Sequence, residues 1–310
     1  MSVKFPYFKG RSALLGGIGI CVGILLFTVI SIYYNYAPPM RLADTYKNIV
    51  RKREILSQMR TNLLKSVEME KSAVMAQTDE ESQGFADQSL AASAAVEQDL
   101  KQLNSLIDAA PIQDERNLVI EFNNCWKELR TLDQAILTLA VQNTNLKAAS
   151  LSREKGGETM RRFEHALEDV MRPYLGAQNE GRVARLLCRA MTSALKIYNL
   201  HSFHIAEASD EKMDQIEMQM KAEETEASKS LDELTGIVGE KSRQTLLQAK
   251  TAFTEFMEVT AKVIKLSRQN TNVKSLELSL GRKRKVAAQC DAILVTFQEA
   301  VQSRTFKATR

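Results

Sequence analysis

The stretch Arg51-Lys-Arg-Glu-Ile-Leu-Ser-Gln-Met-Arg-Thr-Asn-Leu-Leu-Lys65 is echoed 131 positions later by Arg182-Val-Ala-Arg-Leu-Leu-Cys-Arg-Ala-Met-Thr-Ser-Ala-Leu-Lys196. At the same offset Thr78-Asp79-Glu80 meets Ser209-Asp210-Glu211, and Leu100, Leu103 and Ile107 meet Leu231, Leu234 and Val238. Further along, Gln142-Asn143-Thr144-Asn145-Leu146-Lys147 meets Gln269-Asn270-Thr271-Asn272-Val273-Lys274, now at an offset of 127. The lost residues fall where the first copy has Asp108-Ala-Ala-Pro111-Ile-Gln-Asp114 and the second the shorter Gly236-Ile-Val-Gly239-Glu-Lys241. A deletion in a turn, with both flanks kept in register, is the mark of a duplicated helical module.

Each copy reads as a helix up to the T/S-D-E corner, a second up to the Pro111 or Gly239 turn, and a longer stretch beyond. Thr78 and Ser209 are natural N-caps, followed by acidic residues where the helix dipole favours them. The third stretch carries Trp126, Leu129, Leu132, Ile136 and Leu139 in one copy and Phe253, Phe256, Val259, Val263 and Leu266 in the other. This three-four spacing buries itself only against neighbouring helices, so antiparallel bundles with coiled-coil-like packing are expected. The apolar phase resumes past Gly156-Gly157 and Gly281, which leaves open whether those glycines end a helix, and hence whether a module has three or four. Arg172-Pro173-Tyr-Leu-Gly176 breaks or kinks the helix between copies.

Composition agrees with an all-α chain. Of 310 residues only 5 are Pro and 13 Gly, and aromatic residues make up 6%, too little turn and strand chemistry for a β-rich fold. The 42 basic residues nearly balance the 38 acidic ones, so charge gives no case for nucleic acid as a partner. From Ser12 to Tyr34 there are 23 positions without a charged residue, and a helix of that length spans about 35 Å, enough for a bilayer. Lys4, Lys9 and Arg11 precede it and Tyr33, Tyr34 and Tyr36 follow, which places the N-terminus in the cytoplasm against a partly offsetting Arg41 and Lys47. The run is too long for a cleaved signal peptide. The expected organisation is a cytoplasmic N-terminus over 1–11, a transmembrane helix over 12–34, and two tandem antiparallel helical-bundle modules over 40–171 and 172–310. As no later run is long enough to span, the bulk lies outside the cytoplasm, in a periplasm where the cell has one.

Among the residues able to carry chemistry, the duplicated Gln-Asn-Thr-Asn element is the most specific. Asn143 falls between Leu139 and Leu146, and Asn270 between Leu266 and Val273, both at core spacing. A buried Asn in a helical seam sets register and partner; the functional reading is that Asn143, Asn145, Asn270 and Asn272 line a ligand cavity, with Arg182 and Arg185 meeting an anionic group. Lys283-Arg284-Lys285 are the alternative partners for an anionic ligand or for lipid headgroups; Lys283 and Arg284 fall on the apolar phase of their helix, which a solvated face does not explain. His201 and His204, one turn apart, have the spacing of two metal ligands, but no Glu-x-x-His pair accompanies them and no metal or cofactor is assigned. Cys21, Cys125, Cys188 and Cys290 form no C-x-x-C pair and read as isolated, mostly packed thiols. No phosphate loop, nucleophile elbow or H-E-x-x-H is present, so an enzyme is not expected.

A short cytoplasmic end, one membrane helix leading into an antiparallel bundle, and a seam Asn in the last helical stretch resemble the four-helix-bundle sensor domains of methyl-accepting chemotaxis receptors. The doubling is similar to the bimodular helical sensors of that family. The resemblance implies a small metabolite bound between helices, a helix displacement passed through the membrane, and a homodimer or a partner membrane protein. Such receptors continue into a second membrane helix and a signalling hairpin; with the sequence closing at Ser303-Arg-Thr-Phe-Lys-Ala-Thr-Arg310, the expectation is the sensory part alone. The competing reading is a membrane-tethered structural scaffold of the cell envelope with no small ligand. A polar cavity around Asn143 or Asn270 favours the sensor, a dry seam the scaffold.

Overall fold

The computed structural model describes the backbone over residues 10–308 and the side chains over 23–32 and 44–304. Helix α1 runs Gly10–Met75, α2 Asp79–Ala109 and α3 Gln113–Ala140; α4, Thr144–Leu151, continues through a π-turn, Ser152–Gly156, into α5, Gly157–Met171. The second copy repeats this as α6 Glu180–Ala206, α7 Asp210–Thr235, α8 Glu240–Gln269, α9 Thr271–Leu278, a π-turn Ser279–Lys283, and α10 Arg284–Ala308. There is no strand among the described residues. Gly156 and Gly157 keep helical backbone angles and end no helix, whereas Gly281, at φ −88° and ψ −106°, leaves helical values and kinks the chain between α9 and α10. Each sits in or beside a π-turn, and the two π-turns lie at the 127-residue offset of the repeat.

The corners form as their sequences dictate. The Thr78 hydroxyl accepts from Glu81 N–H at 3.1 Å while the Glu81 carboxylate accepts from Gln77 N–H at 3.3 Å, and Ser209 accepts from Lys212 N–H at 3.4 Å. Between the copies, Arg172–Tyr174 is a single 3-10 turn and Gly176 takes φ 77°, a left-handed value natural to glycine. The Tyr174 hydroxyl accepts from Gly239 N–H at 2.7 Å and ties this join to the turn before α8.

Two compact units result, and they do not follow the contiguous boundaries 40–171 and 172–310. One comprises Met1–Thr61, Ala95–Phe122 and Asp291–Arg310, the other Asn62–Ala94 and Asn123–Cys290. The unit boundaries fall within α1, α2, α3 and α10, and the fourth helices are exchanged between the copies. In the second unit α5, from copy one, packs with α6 and α8 of copy two around Phe163, Val170, Ala190, Ile197, Phe253 and Phe256. In the first unit α10, from copy two, reaches copy one: Arg60 on α1 pairs with Asp291 at 2.6 Å, and Arg304 lies 3.4 Å from Glu115 on α3. There Glu115 also holds the buried Lys52 at 2.7 Å, and the buried side chains of this unit include Ile55, Leu56, Met59, Leu103, Phe122 and Phe297.

Three expectations need correction. The apolar stripe holds at Trp126, Leu129, Ile136, Phe253, Phe256 and Val263, but Leu132, Leu139, Val259 and Leu266 are only half-buried. Asp133, Ala140, Thr260 and Ser267 face the core instead, because partners for the polar groups await them there. Cys125 and Cys290 are not isolated: they form a disulfide joining α3 to α10 across 165 residues, and Cys188 remains free and exposed. Asn143 and Asn270 are not within a helix. Both adopt left-handed φ, 49° and 55°, at the joints before α4 and α9, a conformation that Asn tolerates better than most residues.

Of the run Ser12–Tyr34, the side chains of Gly23–Ile32 alone are described, so the expected span lies largely outside the described residues, as do Lys4, Lys9 and Arg11. Among the described residues no helix is long and apolar enough to cross a membrane. Within the described part Ile24, Leu25, Leu26, Phe27, Val29 and Ile32 are each more than half exposed.

Candidate functional site

The duplicated Asn-Thr-Asn elements meet each other in the second unit. Thr144 N–H donates to Thr271 Oγ1 at 3.2 Å and Thr271 N–H to Thr144 Oγ1 at 3.2 Å. One residue on, Asn145 N–H donates to Asn272 Oδ1 at 3.1 Å and Asn272 N–H to Asn145 Oδ1 at 3.2 Å. The side-chain amides close the lattice: Asn145 Nδ2 donates to Asn270 Oδ1 at 2.8 Å, and Asn272 Nδ2 to Asn143 Oδ1 at 3.0 Å. Each bond has its mirror in the other copy, so a local two-fold axis runs between Thr144 and Thr271. The first helical turns of α4 and α9, whose N–H groups lack intrahelical partners, thus cap one another. Outward, Asn143 Nδ2 donates to Asp79 at 3.0 Å and Asn270 Nδ2 to the Glu207 carbonyl at 2.9 Å.

The four asparagines proposed as a ligand site are therefore brought together, and their amides are occupied with protein partners. Asn143 is 1% and Asn270 2% exposed. Arg182 and Arg185 stand apart from them, exposed on the first turns of α6.

Two further polar nests lie one helical span from the lattice, each against a π-turn. In the first, Lys283 Nζ sits 2.5 Å from Glu70 on α1 and 3.0 Å from Asp133 on α3, while the Ser279 hydroxyl donates to Glu70 at 3.3 Å. Lys283, Glu70 and Asp133 are fully buried. Burial pushes both carboxyl groups up, against the pull of Lys283 and, at Asp133, of Arg130. This accounts for Lys283 on an apolar phase: it is a core residue with built-in counter-charges.

In the second nest His201 Nδ1 is 2.9 Å from the Ser152 hydroxyl and Nε2 is 3.0 Å from Thr260. The offsets of the repeat carry Glu70 onto His201, Asp133 onto Thr260, Ser279 onto Ser152 and Lys283 onto Gly156. The nests are thus equivalent in position, one built of charged groups and the other of neutral ones. At Gly156 a Cβ would meet the Tyr198 ring at 3.3 Å, so Tyr198 fills the room that Lys283 takes in the other nest. Phe256 stacks on His201 at 5.8 Å. One turn on, buried His204 faces Ser267 at 2.8 Å and Glu217 at 2.9 Å. The ring nitrogens of both histidines are thus engaged with protein groups; His165, the third, is exposed beside Glu168.

A groove of roughly 560 Å³ between α7 and α8 lies over this nest, lined by Asp214, Glu217, Lys221, Met257, Thr260 and Ile264 among others. Burial works to raise Glu217, but hydrogen bonds from Arg268 and His204 outweigh it and hold the carboxyl below its usual range. Arg268 also pairs with Asp214, and Lys221 with Glu224, so the charges of the groove are internally matched. Sequence reasoning missed both nests; the signals that could have found them were Lys283 in an apolar register and the His201–His204 spacing.

A family model described as a four helix bundle sensory module for signal transduction matches residues 14–175, more than half of the chain. No curated protein and no solved structure matches. The chain belongs to this family, the four-helix-bundle sensory modules of chemotaxis receptors. The matched stretch contains four successive helical spans, and its fourth, Thr144–Met171, packs with the helices of the second copy.

Proposed function

We propose that this chain is the membrane-anchored, extracytoplasmic sensory part of a chemoreceptor-like system, responding to a small molecule and acting with a second copy or a partner membrane protein. One observation carries the anchoring: the apolar side chains from Ile24 to Ile32 are at least half exposed on the helix that leads into the bundle, and a row of this kind is stable in lipid and unfavourable in water. The Cys125–Cys290 disulfide supports the compartment, since such bonds persist outside a reducing cytosol. We assign the ligand to the α7–α8 groove for its place over the His201 nest, where Thr260 lines both.

The test is topological. In intact cells, or spheroplasts where an outer barrier exists, an impermeant maleimide is expected to label Cys188, the free and exposed thiol among the described residues, without lysis. Labelling only after lysis, with an external control labelled before it, would overturn the reading. The scaffold alternative keeps one observation in its favour: the asparagine lattice is buried and its amides are satisfied by protein groups. Calorimetry of the full chain against a panel of small metabolites separates the two, since a scaffold binds none.

A further inference from the structure

The wiring of the His201 nest leaves one place for a proton. The Thr260 hydroxyl gives its hydrogen to the Phe256 carbonyl at 2.9 Å, so its oxygen accepts from His201 Nε2. With the ring hydrogen on Nε2, Nδ1 holds a lone pair and accepts the Ser152 hydroxyl hydrogen. Both nitrogens of the neutral ring are satisfied, and the ring is 1% exposed.

We propose that this nest is a proton-binding site that makes the α5–α8 bundle acid-responsive: a proton taken from solvent on Nδ1 puts an uncompensated positive charge in the core, and the nest relieves it by opening between the Ser152 π-turn and α6. The inference goes beyond the proposed function by naming the proton as a stimulus, and it holds or fails independently of the membrane topology. The groups around the ring set the cost of the added charge. From the π-turn comes Ser152, from α8 Thr260 and Phe256, and from α6 itself Tyr198 and His204. On α7, Glu217 is engaged with His204 and Arg268. Among the described residues the hydrogen-bond partners of His201 are therefore two hydroxyls and no carboxylate, so an imidazolium there is uncompensated.

The sister nest shows what the same position needs in order to hold a charge: Glu70 and Asp133 together around one ammonium. Replacing that pair by His201 and Thr260 removes the counter-charge. Burial, with a smaller push from His204, depresses His201 to about 4, which places the response in acid below the ordinary histidine range.

The experiment is a carbon-13 histidine titration of the full chain in detergent micelles from pH 8 to 3.5, with backbone hydrogen exchange over residues 148–160 followed at pH 7 and 4.5. The expected result is a ring resonance, absent in His201→Gln, with a midpoint well below 6.5, and exchange of the π-turn amides accelerated by about tenfold at pH 4.5 after correction for intrinsic rates. His201→Gln should lack that acceleration. A midpoint near the ordinary value, or the same acceleration in His201→Gln, overturns the proposal. If His201→Gln does not fold, Thr260→Asp decides it: the carboxylate that the sister nest has at this position would compensate the imidazolium and must move the midpoint upward, and an unmoved midpoint overturns the proposal.

Discussion

Thr144 and Thr271, 127 residues apart, each donate a backbone N–H to the other's hydroxyl oxygen at the same distance of 3.2 Å. Neither copy caps its own fourth helix; each caps the other's. Thr271→Val should leave the buried Thr144 N–H without an acceptor and destabilise the chain by about 1–3 kcal/mol. The pair Thr144→Val and Thr271→Val is expected to be non-additive, because the residues share one network. Urea unfolding of the singles and the double measures both quantities, and a single-variant loss below about 0.5 kcal/mol would show that the lattice does not hold the helices.

Lys283 sits between two carboxylates with all three side chains fully buried. Lys283→Met should therefore cost about 3–5 kcal/mol, since it abandons Glu70 and Asp133 in the core. Adding Glu70→Leu and Asp133→Leu should restore most of the loss, because a well-packed apolar replacement of a buried ion cluster is often neutral. Thermal melts check both, and a triple variant no better than the single would mean that the cluster is needed for packing.

The disulfide between Cys125 and Cys290 closes a loop of 165 residues. Its loss in Cys125→Ala/Cys290→Ala should lower stability by about 2–5 kcal/mol. Unfolding midpoints of the wild type with and without reductant provide the check, and the double variant should show no response to reductant.

Asp79 at the start of α2 accepts from Asn143 and pairs with Lys147 at 2.9 Å. Hydrogen bonds from Lys147 and then Asn143 hold its carboxyl below the usual range. A depressed carboxyl contributes stability that is present above its unfolded pKa, near 3.9, and lost as pH falls through the folded value. Asp79→Asn should thus be less stable than wild type at neutral pH by less than about 1 kcal/mol, as the pair is exposed, and the two should converge in strong acid. Denaturant midpoints between pH 6 and 2 test the convergence.

The helical character, the duplication and the capped corners were legible because each rests on local chemistry: Thr78 and Ser209 announce their helices, and the 131 and 127 offsets survive a turn deletion. The exchange of fourth helices was not legible. Periodicity marks the face of α5 that is buried but does not name its neighbours, so Phe163 reads the same whether it meets Phe253 or a residue of copy one. For the same reason the partner of Cys125 stayed hidden. The site was half legible: the Asn-Thr-Asn elements stood out by recurring, and their mutual pairing needed the local two-fold axis. Thr260 and Asp133 escaped because a polar residue beside an apolar stripe reads as its edge, whereas here the stripe turns toward them.

The exchange also sets an order of events on the ribosome. Helices α5 to α8 are all translated by Gln269, so that bundle can close while the remainder is still being made. Helices α1 to α3 emerge first and wait longest, because α10 arrives last. At ordinary synthesis rates Cys125 precedes Cys290 by on the order of 10 s, during which its thiol and the carboxylates of Glu70 and Asp133 have no partners. The later-encoded half of the chain is thus the earlier to mature, and the nascent first half is the part for which a chaperone or a thiol oxidase has the longest window.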